Sequence, residues 1–270
     1  MKFKFITRHY KKSRWRLALN TTPFIVAIII AKYFTHYYEL QFLNLNSLFT
    51  AVISANIFLI GFLITGTLSD FKESEKLPGD MSVSLSSLFD EAYITYQNKK
   101  DPVAKKCMEE IFKLNQSIID WFYKKVKTVE IYQKIFSLNK SLLEFEKLTQ
   151  ANFIVKMKNE QSNVRRLVTR IHTIRETSFL GTAYAIAEII TFIMIMGFIF
   201  LDLNPFYESM FFVSFVSFIM IYMIFFIREL DNPFSYYEAD GLVEEVSLKP
   251  IEDSMKRMSE ILNEMEEYEK

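Results

Sequence analysis

From Leu43 to Ser69 the chain carries no charged residue, and the run stops at Asp70. As an α-helix this stretch is long enough to cross the roughly 30 Å hydrocarbon core of a bilayer. A helix also satisfies every backbone polar group within the segment, which a lipid environment requires. Three further segments meet the criterion of about 20 apolar residues, so spans are expected at roughly 17–38, 45–68, 179–203 and 205–227. Lys32 and His36 interrupt the first, although a lysine near a helix end can snorkel to the headgroups. Only Glu208 is charged in the fourth. Glu188 lies well inside the third, where an isolated carboxylate is expensive. It is expected to pair with Lys32 of the first span; the alternative is that it lines a hydrated vestibule.

Basic residues set the expected orientation. Lys2, Lys4, Arg8, Lys11, Lys12, Arg14 and Arg16 precede the first span, whereas the links Glu39–Asn46 and Asp202–Pro205 contain no Lys or Arg. Both termini are therefore expected in the cytoplasm, with the chain crossing the cell membrane four times. A cleavable signal is not expected, because basic residues extend to position 16 and no small-residue cleavage site follows the apolar run.

Half the residues are hydrophobic, and 27 Phe stand against 6 Gly and 6 Pro, as suits a helical, turn-poor membrane protein. Residues 70–178 are much more polar. Between them Asp101-Pro102 reads as an N-cap followed by proline at the first helical position. Val103, Cys107, Ile111, Leu114, Ile118 and Trp121 then recur at helical spacing, as do Val164, Leu167, Val168, Ile171 and Ile174 further on. These stripes predict a helical bundle. Arg165, Arg166, Arg170 and Arg175 lie on or beside its last helix, where solvation or headgroup contact is their default role and attraction of anions the sharper alternative. Pro250–Tyr268 reads as another amphipathic helix. The expected fold is an all-α membrane protein: spans one and two in residues 1–69, a helical cytoplasmic region in 70–178, spans three and four in 179–227, and a C-terminal segment in 228–270.

Several function classes are disfavoured. Formal net charge is +0, which gives no support for a nucleic-acid partner, and the single Cys107 excludes an intramolecular disulfide or thiolate cluster. His9, His36 and His172 form no metal motif, and no nucleophile elbow or phosphate-binding loop occurs, so neither an enzyme nor a cofactor is expected.

Two short stretches carry a more specific signal. Phe58-Leu59-Ile60-Gly61-Phe62 sits in the second span, and Arg228-Glu229-Leu230-Asp231-Asn232-Pro233-Phe234 closes the fourth. Together with Leu77-Pro78-Gly79-Asp80, the chain resembles the bestrophin family of pentameric ion channels. The resemblance implies a homopentamer in a lipid bilayer, with second spans around an axis and monovalent ions as cargo. It further implies an apolar pore neck at Ser54, Phe58 and Phe62, with Gly61 as a helix-packing position and Leu77-Pro78 where the helix leaves the membrane. Asn232, Pro233 and Phe234 match the family's element after the last span, and Glu238 and Asp240 are what remains of its calcium clasp. Calcium takes roughly six to eight oxygen ligands, so this pair is a weak metal site.

Spacing alone leaves Phe58 and Phe62 open to a second reading, packing against a neighbouring helix, which uses the same four-residue interval. Chloride is the expected ion; a cation-conducting channel of the same fold, or a non-conducting membrane-anchored scaffold or receptor, are the rivals. Oligomeric state separates channel from scaffold.

Overall fold

The computed structural model describes residues 15–177, 181–236 and 245–268. Its helices are α1 (Arg16–Tyr37), α2 (Ser47–Lys99), α3 (Pro102–Phe122), α4 (Thr128–Phe145), α5 (Ala151–Glu176), α6 (Gly181–Phe200), α7 (Phe206–Asp231) and α8 (Lys249–Tyr268). Two-residue strands β1 (Leu43–Asn44) and β2 (Leu201–Asp202) pair in parallel, a small addition to an otherwise helical chain. Four helical stretches are long and apolar enough to cross a membrane, at the four positions expected from the sequence.

The chain divides into two compact units. The membrane unit holds α1, α2 as far as Asp70, α6 and α7. Asn46 starts α2: its Oδ1 accepts from the Phe49 amide at 2.8 Å, the N-cap contact that satisfies one otherwise unpaired donor. The core is built from Ile28, Met194, Phe198, Val213 and Met220 in one cluster and Ile60, Leu63, Ala187, Ile224 and Ile227 in another. Gly197 of α6 lies against the Phe49 ring of α2. A Cβ there would lie 2.9 Å from the Phe49 ring, so any larger residue requires that ring to shift. Large aromatic residues are exposed at both ends of the spans, Trp15 at one and Tyr37, Tyr38, Phe42 and Tyr207 at the other, as expected for side chains at a membrane–water boundary.

The polar unit runs from Phe71 through α5 and includes α8. Leu77-Pro78 lies inside α2, which continues through Pro78 to Lys99. The reason is packing. Leu77, Met81, Leu85, Leu88, Phe89, Ala92 and Tyr96 are buried at three- and four-residue spacing. Each fully buried side chain of this kind contributes about 1.5–3 kcal/mol, so two or three offset the roughly 3 kcal/mol that an interior proline costs. In α3 the Asp101 side chain accepts from the Val103 amide at 2.8 Å with Pro102 at the start, as the sequence predicts. Cys107, Ile111, Ile118, Val164, Val168 and Ile171 are all core. Ile171 is thereby placed in the bundle interior.

Candidate pore-lining face and intramembrane charges

α2 has two unlike faces within the membrane unit. On one, Asn56, Ile60, Leu63 and Thr67 are buried, and Asn56 Nδ2 donates to Thr191 Oγ1 of α6 at 3.2 Å. On the other, Ala51, Ser54, Ala55, Phe58, Gly61, Phe62, Thr65 and Ser69 are all exposed. At about 100° per residue these eight fall within an arc of roughly 120°. Phe58 is 77% exposed and Phe62 58%. Among the described residues nothing stands within 4 Å of a Cβ built at Gly61, so the close helix approach expected there is not made inside the subunit. Ser54 Oγ and Thr65 Oγ1 donate to the carbonyls of Thr50 and Gly61, both at 2.9 Å, and so bond their own helix.

This face differs in composition from the other exposed membrane surfaces. Beyond Gly181, Thr182 and Ala185 in its first turns, α6 exposes Ile186, Ile189, Phe192, Ile193 and Met196, and beyond Tyr207 and Glu208 the membrane part of α7 exposes Phe211, Phe212, Phe215 and Ile219, bulky and apolar as lipid contact favours. α2 also exposes Leu48, Val52 and Ile57, but within the roughly 120° arc of Phe58 and Phe62 the other exposed residues are small or carry a hydroxyl. Small residues of this kind mark surfaces where membrane helices meet one another or meet water.

Lys32 and Glu188 do not pair, which corrects the expectation from sequence. Lys32 is 1% exposed, and its Nζ donates to the carbonyls of Phe198 at 3.2 Å, Ile199 at 3.5 Å and Leu201. Thr35 Oγ1 also donates to the Ile199 carbonyl at 2.9 Å, and the Phe42 amide donates to the Phe200 carbonyl at 3.2 Å. The last carbonyls of α6, which no intrahelical donor can reach, are thus satisfied from α1 and the strand link. A cation suits this place because it meets the negative end of the helix dipole. Glu188 instead accepts two bonds on Oε1 from Arg228 of α7, from Nε at 3.0 Å and Nη2 at 2.6 Å. Beside them Tyr184 donates to Asp231 at 2.9 Å and lies 3.1 Å from Thr67 Oγ1. Sequence alone did not link these groups, because their proximity depends on the register of α6 against α7.

Asn232, Pro233 and Phe234 fall in the polar unit. Phe234 is fully buried, with its ring centroid 5.8 Å from that of Phe122, and the Pro233 carbonyl accepts from the Val246 amide at 3.2 Å. Asn232 precedes them, half-buried. This element anchors the segment after α7 into the helical core. Glu238 and Asp240 lie outside the described residues, and among the described residues no group of three His, Cys, Asp or Glu side chains could hold a metal ion. Two of the four arginines on α5 are fasteners. Arg170 forms a two-pronged bond with Glu73, at 2.9 and 2.7 Å, and the neighbouring guanidinium holds the Glu73 carboxyl below its ordinary range. Arg175 donates to the Trp121 carbonyl at 3.2 Å and lies over the Trp121 ring.

No protein-family model matches the sequence, and no curated protein matches it in sequence. Solved structures match it in shape. A variant of a bacterial bestrophin homologue from Klebsiella pneumoniae gives a TM-score of 0.71 at 15% identity, over 90% of this chain and 99% of its own. Another structure of a bestrophin homologue from the same organism gives 0.71 at 13% identity, over 92% and 98%. A crystallised membrane-protein variant gives 0.74 at 12% identity, over 92% and 99%. The chain has the bestrophin-homologue fold. Near-complete coverage of both chains means that the bestrophin resemblance extends well beyond the short motifs, through the α3–α5 region as well as the spans. At 12–15% identity the shared feature is the backbone fold, carried by largely different side chains.

Proposed function

We propose that this chain is a remote bestrophin and one subunit of a homopentameric ion channel in the cell membrane, with both termini and the polar unit in the cytoplasm. Small monovalent anions, chloride above all, are the proposed cargo. Ser54, Phe58 and Phe62 form the neck of the pore, and Gly61 and Ala55 let neighbouring copies of α2 approach. The observation that carries this reading is the open arc of α2, in which small and hydroxyl residues surround the exposed Phe58 and Phe62 and no described residue stands within 4 Å of a Cβ at Gly61, in a chain with the bestrophin fold.

A ring of Phe58 side chains with a second ring from Phe62 one turn further on makes a narrow apolar constriction. Such a constriction gates by dewetting, and phenyl edges carry positive potential that favours a partly dehydrated anion. The hydroxyl protons of Ser54 and Thr65 are engaged by their own helix, so ring edges rather than hydroxyl donors supply the selectivity. The channel performs no covalent chemistry and needs no cofactor. The test is the double variant Phe58→Ala with Phe62→Ala, assembled to the same subunit number and recorded in planar bilayers. Higher single-channel conductance or relaxed anion selectivity is expected. Unchanged currents would remove both residues from the pore.

A further inference from the structure

In the polar unit α4 leaves one face exposed, and that face is not simply polar. Val129, Phe136 and Leu143 are 63, 67 and 59% exposed and follow one another at seven-residue spacing. Single exposed apolar residues are ordinary on a protein surface, but three in line at this interval form the kind of seam by which one helix packs on another. At about 100° per residue, Gln133 and Lys140 share the same arc of roughly 80°, in which α4 has no acidic residue. Lys147 follows in the next turn, also exposed.

A groove of about 600 Å³ lies in the same unit, between the last turns of α2 and those of α8. Tyr93, Tyr96, Ile261 and Met265 give it apolar walls, and Glu264 and Lys100 are its charged lining. Lys100 Nζ sits over the Tyr96 ring, 5.0 Å from the centroid. Glu264 is exposed, as are Glu260, Glu266 and Glu267, and residues 258–268 contain no Lys or Arg, so this end of α8 is acidic. Stripe and groove lie on opposite sides of α3. Lys106 donates to Glu144, Ser141 to Glu110, and Lys134 to Ser117, all between α3 and α4. Asn115 Nδ2 of α3 donates instead to Met258 Sδ of α8, at 3.7 Å. Around α3, position 115 is about 160° from the mean direction of 106, 110 and 117, so α4 and α8 flank that helix on opposite sides.

We propose that the α4 stripe of one subunit docks into the α2–α8 groove of the next, with Phe136 and Leu143 against Tyr93, Ile261 and Met265, and Lys140 beside Glu264. The inference rests on the pentameric reading and names the contact that closes the ring in the polar unit. A five-fold ring needs two unlike, complementary surfaces on each subunit, placed so that each copy serves a neighbour on either side. The stripe is convex, apolar and basic; the groove is concave, apolar-walled and acidic at its α8 wall. A second copy of this chain is the occupant they fit, because one subunit supplies both halves of the match. Opposite charge beside the apolar contact fixes register and partner rather than supplying most of the affinity.

The test is cross-linking of the full chain carrying Phe136→Cys with Ile261→Cys, treated in its native state with a short bismaleimide; the natural Cys107 is buried. A covalent ladder reaching five chains is expected on a denaturing gel. Either single variant should stay monomeric there, since the two cysteines meet only across a head-to-tail interface. Lys140→Glu alters an exposed side chain and serves if the cysteine variants fail to assemble. It should raise by about tenfold the protein concentration at which the pentamer half dissociates in detergent, and Glu264→Lys in the same chain should recover the loss. Native mass on the same preparations separates the outcomes. A pentamer that forms no ladder and ignores the charge reversal overturns this interface and leaves the channel reading standing. So does a cross-linked dimer from either single-cysteine variant, the mark of a two-fold contact. A chain that is monomeric before cross-linking refutes both.

Discussion

Replacing Lys32 by methionine removes the donor that the structure places at the end of α6. The side chain keeps its length and its burial, so packing changes little. What is lost is hydrogen bonding to the carbonyls of Phe198, Ile199 and Leu201. Ile199 retains Thr35 Oγ1 at 2.9 Å, which leaves two carbonyls without this donor. A buried acceptor left unsatisfied costs about 1–3 kcal/mol, and the variant is spared the desolvation of an ammonium group. The net loss should be about 2–4 kcal/mol, or roughly 5–10 °C in the apparent Tm of the detergent-solubilised protein. Glu188→Gln should cost only about 0–1 kcal/mol, since its partner is the partly exposed Arg228. Because the two residues do not touch, the double variant should be additive within about 0.5 kcal/mol. The assay is thermal unfolding of the four proteins, followed by the monodisperse fraction on size exclusion. A Lys32→Met protein as stable as the parent would refute the reasoning, and coupling above about 1 kcal/mol would restore the Lys32–Glu188 pair.

Other positions give sharper local readouts. Gly197→Ala drives a Cβ to 2.9 Å from the Phe49 ring and should destabilise by about 1–3 kcal/mol, with Phe49→Leu in the same chain recovering part of the loss in thermal unfolding. Burial pushes the Cys107 thiol up to about 12, so it should resist thiol reagents at pH 8 in the folded protein and react once denaturant opens the bundle. Arg170 holds the Glu73 carboxyl below its ordinary value of 4.5, so the pair stabilises the folded state above that pH and ceases to do so as pH falls through the lowered value. Arg170→Gln should therefore cost up to about 1 kcal/mol at pH 7, and the difference from the parent should vanish in strong acid.

The four spans were legible because bilayer thickness fixes the length of any helix that crosses it, and the run from Leu43 to Ser69 leaves no other reading. The N-cap at Asp101 and the buried stripe from Cys107 to Trp121 were legible for an equally local reason. The continuation of α2 past Pro78 was not read, since proline and glycine in sequence signal a break. Yet Leu77, Met81, Leu85, Leu88, Ala92 and Tyr96 already carried the helical period across it. Lys32 was given a carboxylate partner because charge suggests charge. The partners are instead the terminal carbonyls of α6 and the carbonyl of Leu201 just after it, backbone acceptors that leave no trace in residue type. The Glu188–Arg228 contact depends on how α6 and α7 slide against each other, and no local pattern encodes that. For the proposed neck, sequence supplied Phe58 and Phe62, and the structure adds that both are exposed among the described residues.

The most direct test of the channel reading is the reversal potential of the purified protein in a planar bilayer under a KCl gradient, with subunit number measured by native mass on the same preparation. The account predicts a pentamer whose current reverses towards the chloride equilibrium potential. Reversal towards potassium would contradict anion selectivity, and silence from protein that is monomeric or dimeric would contradict the channel itself.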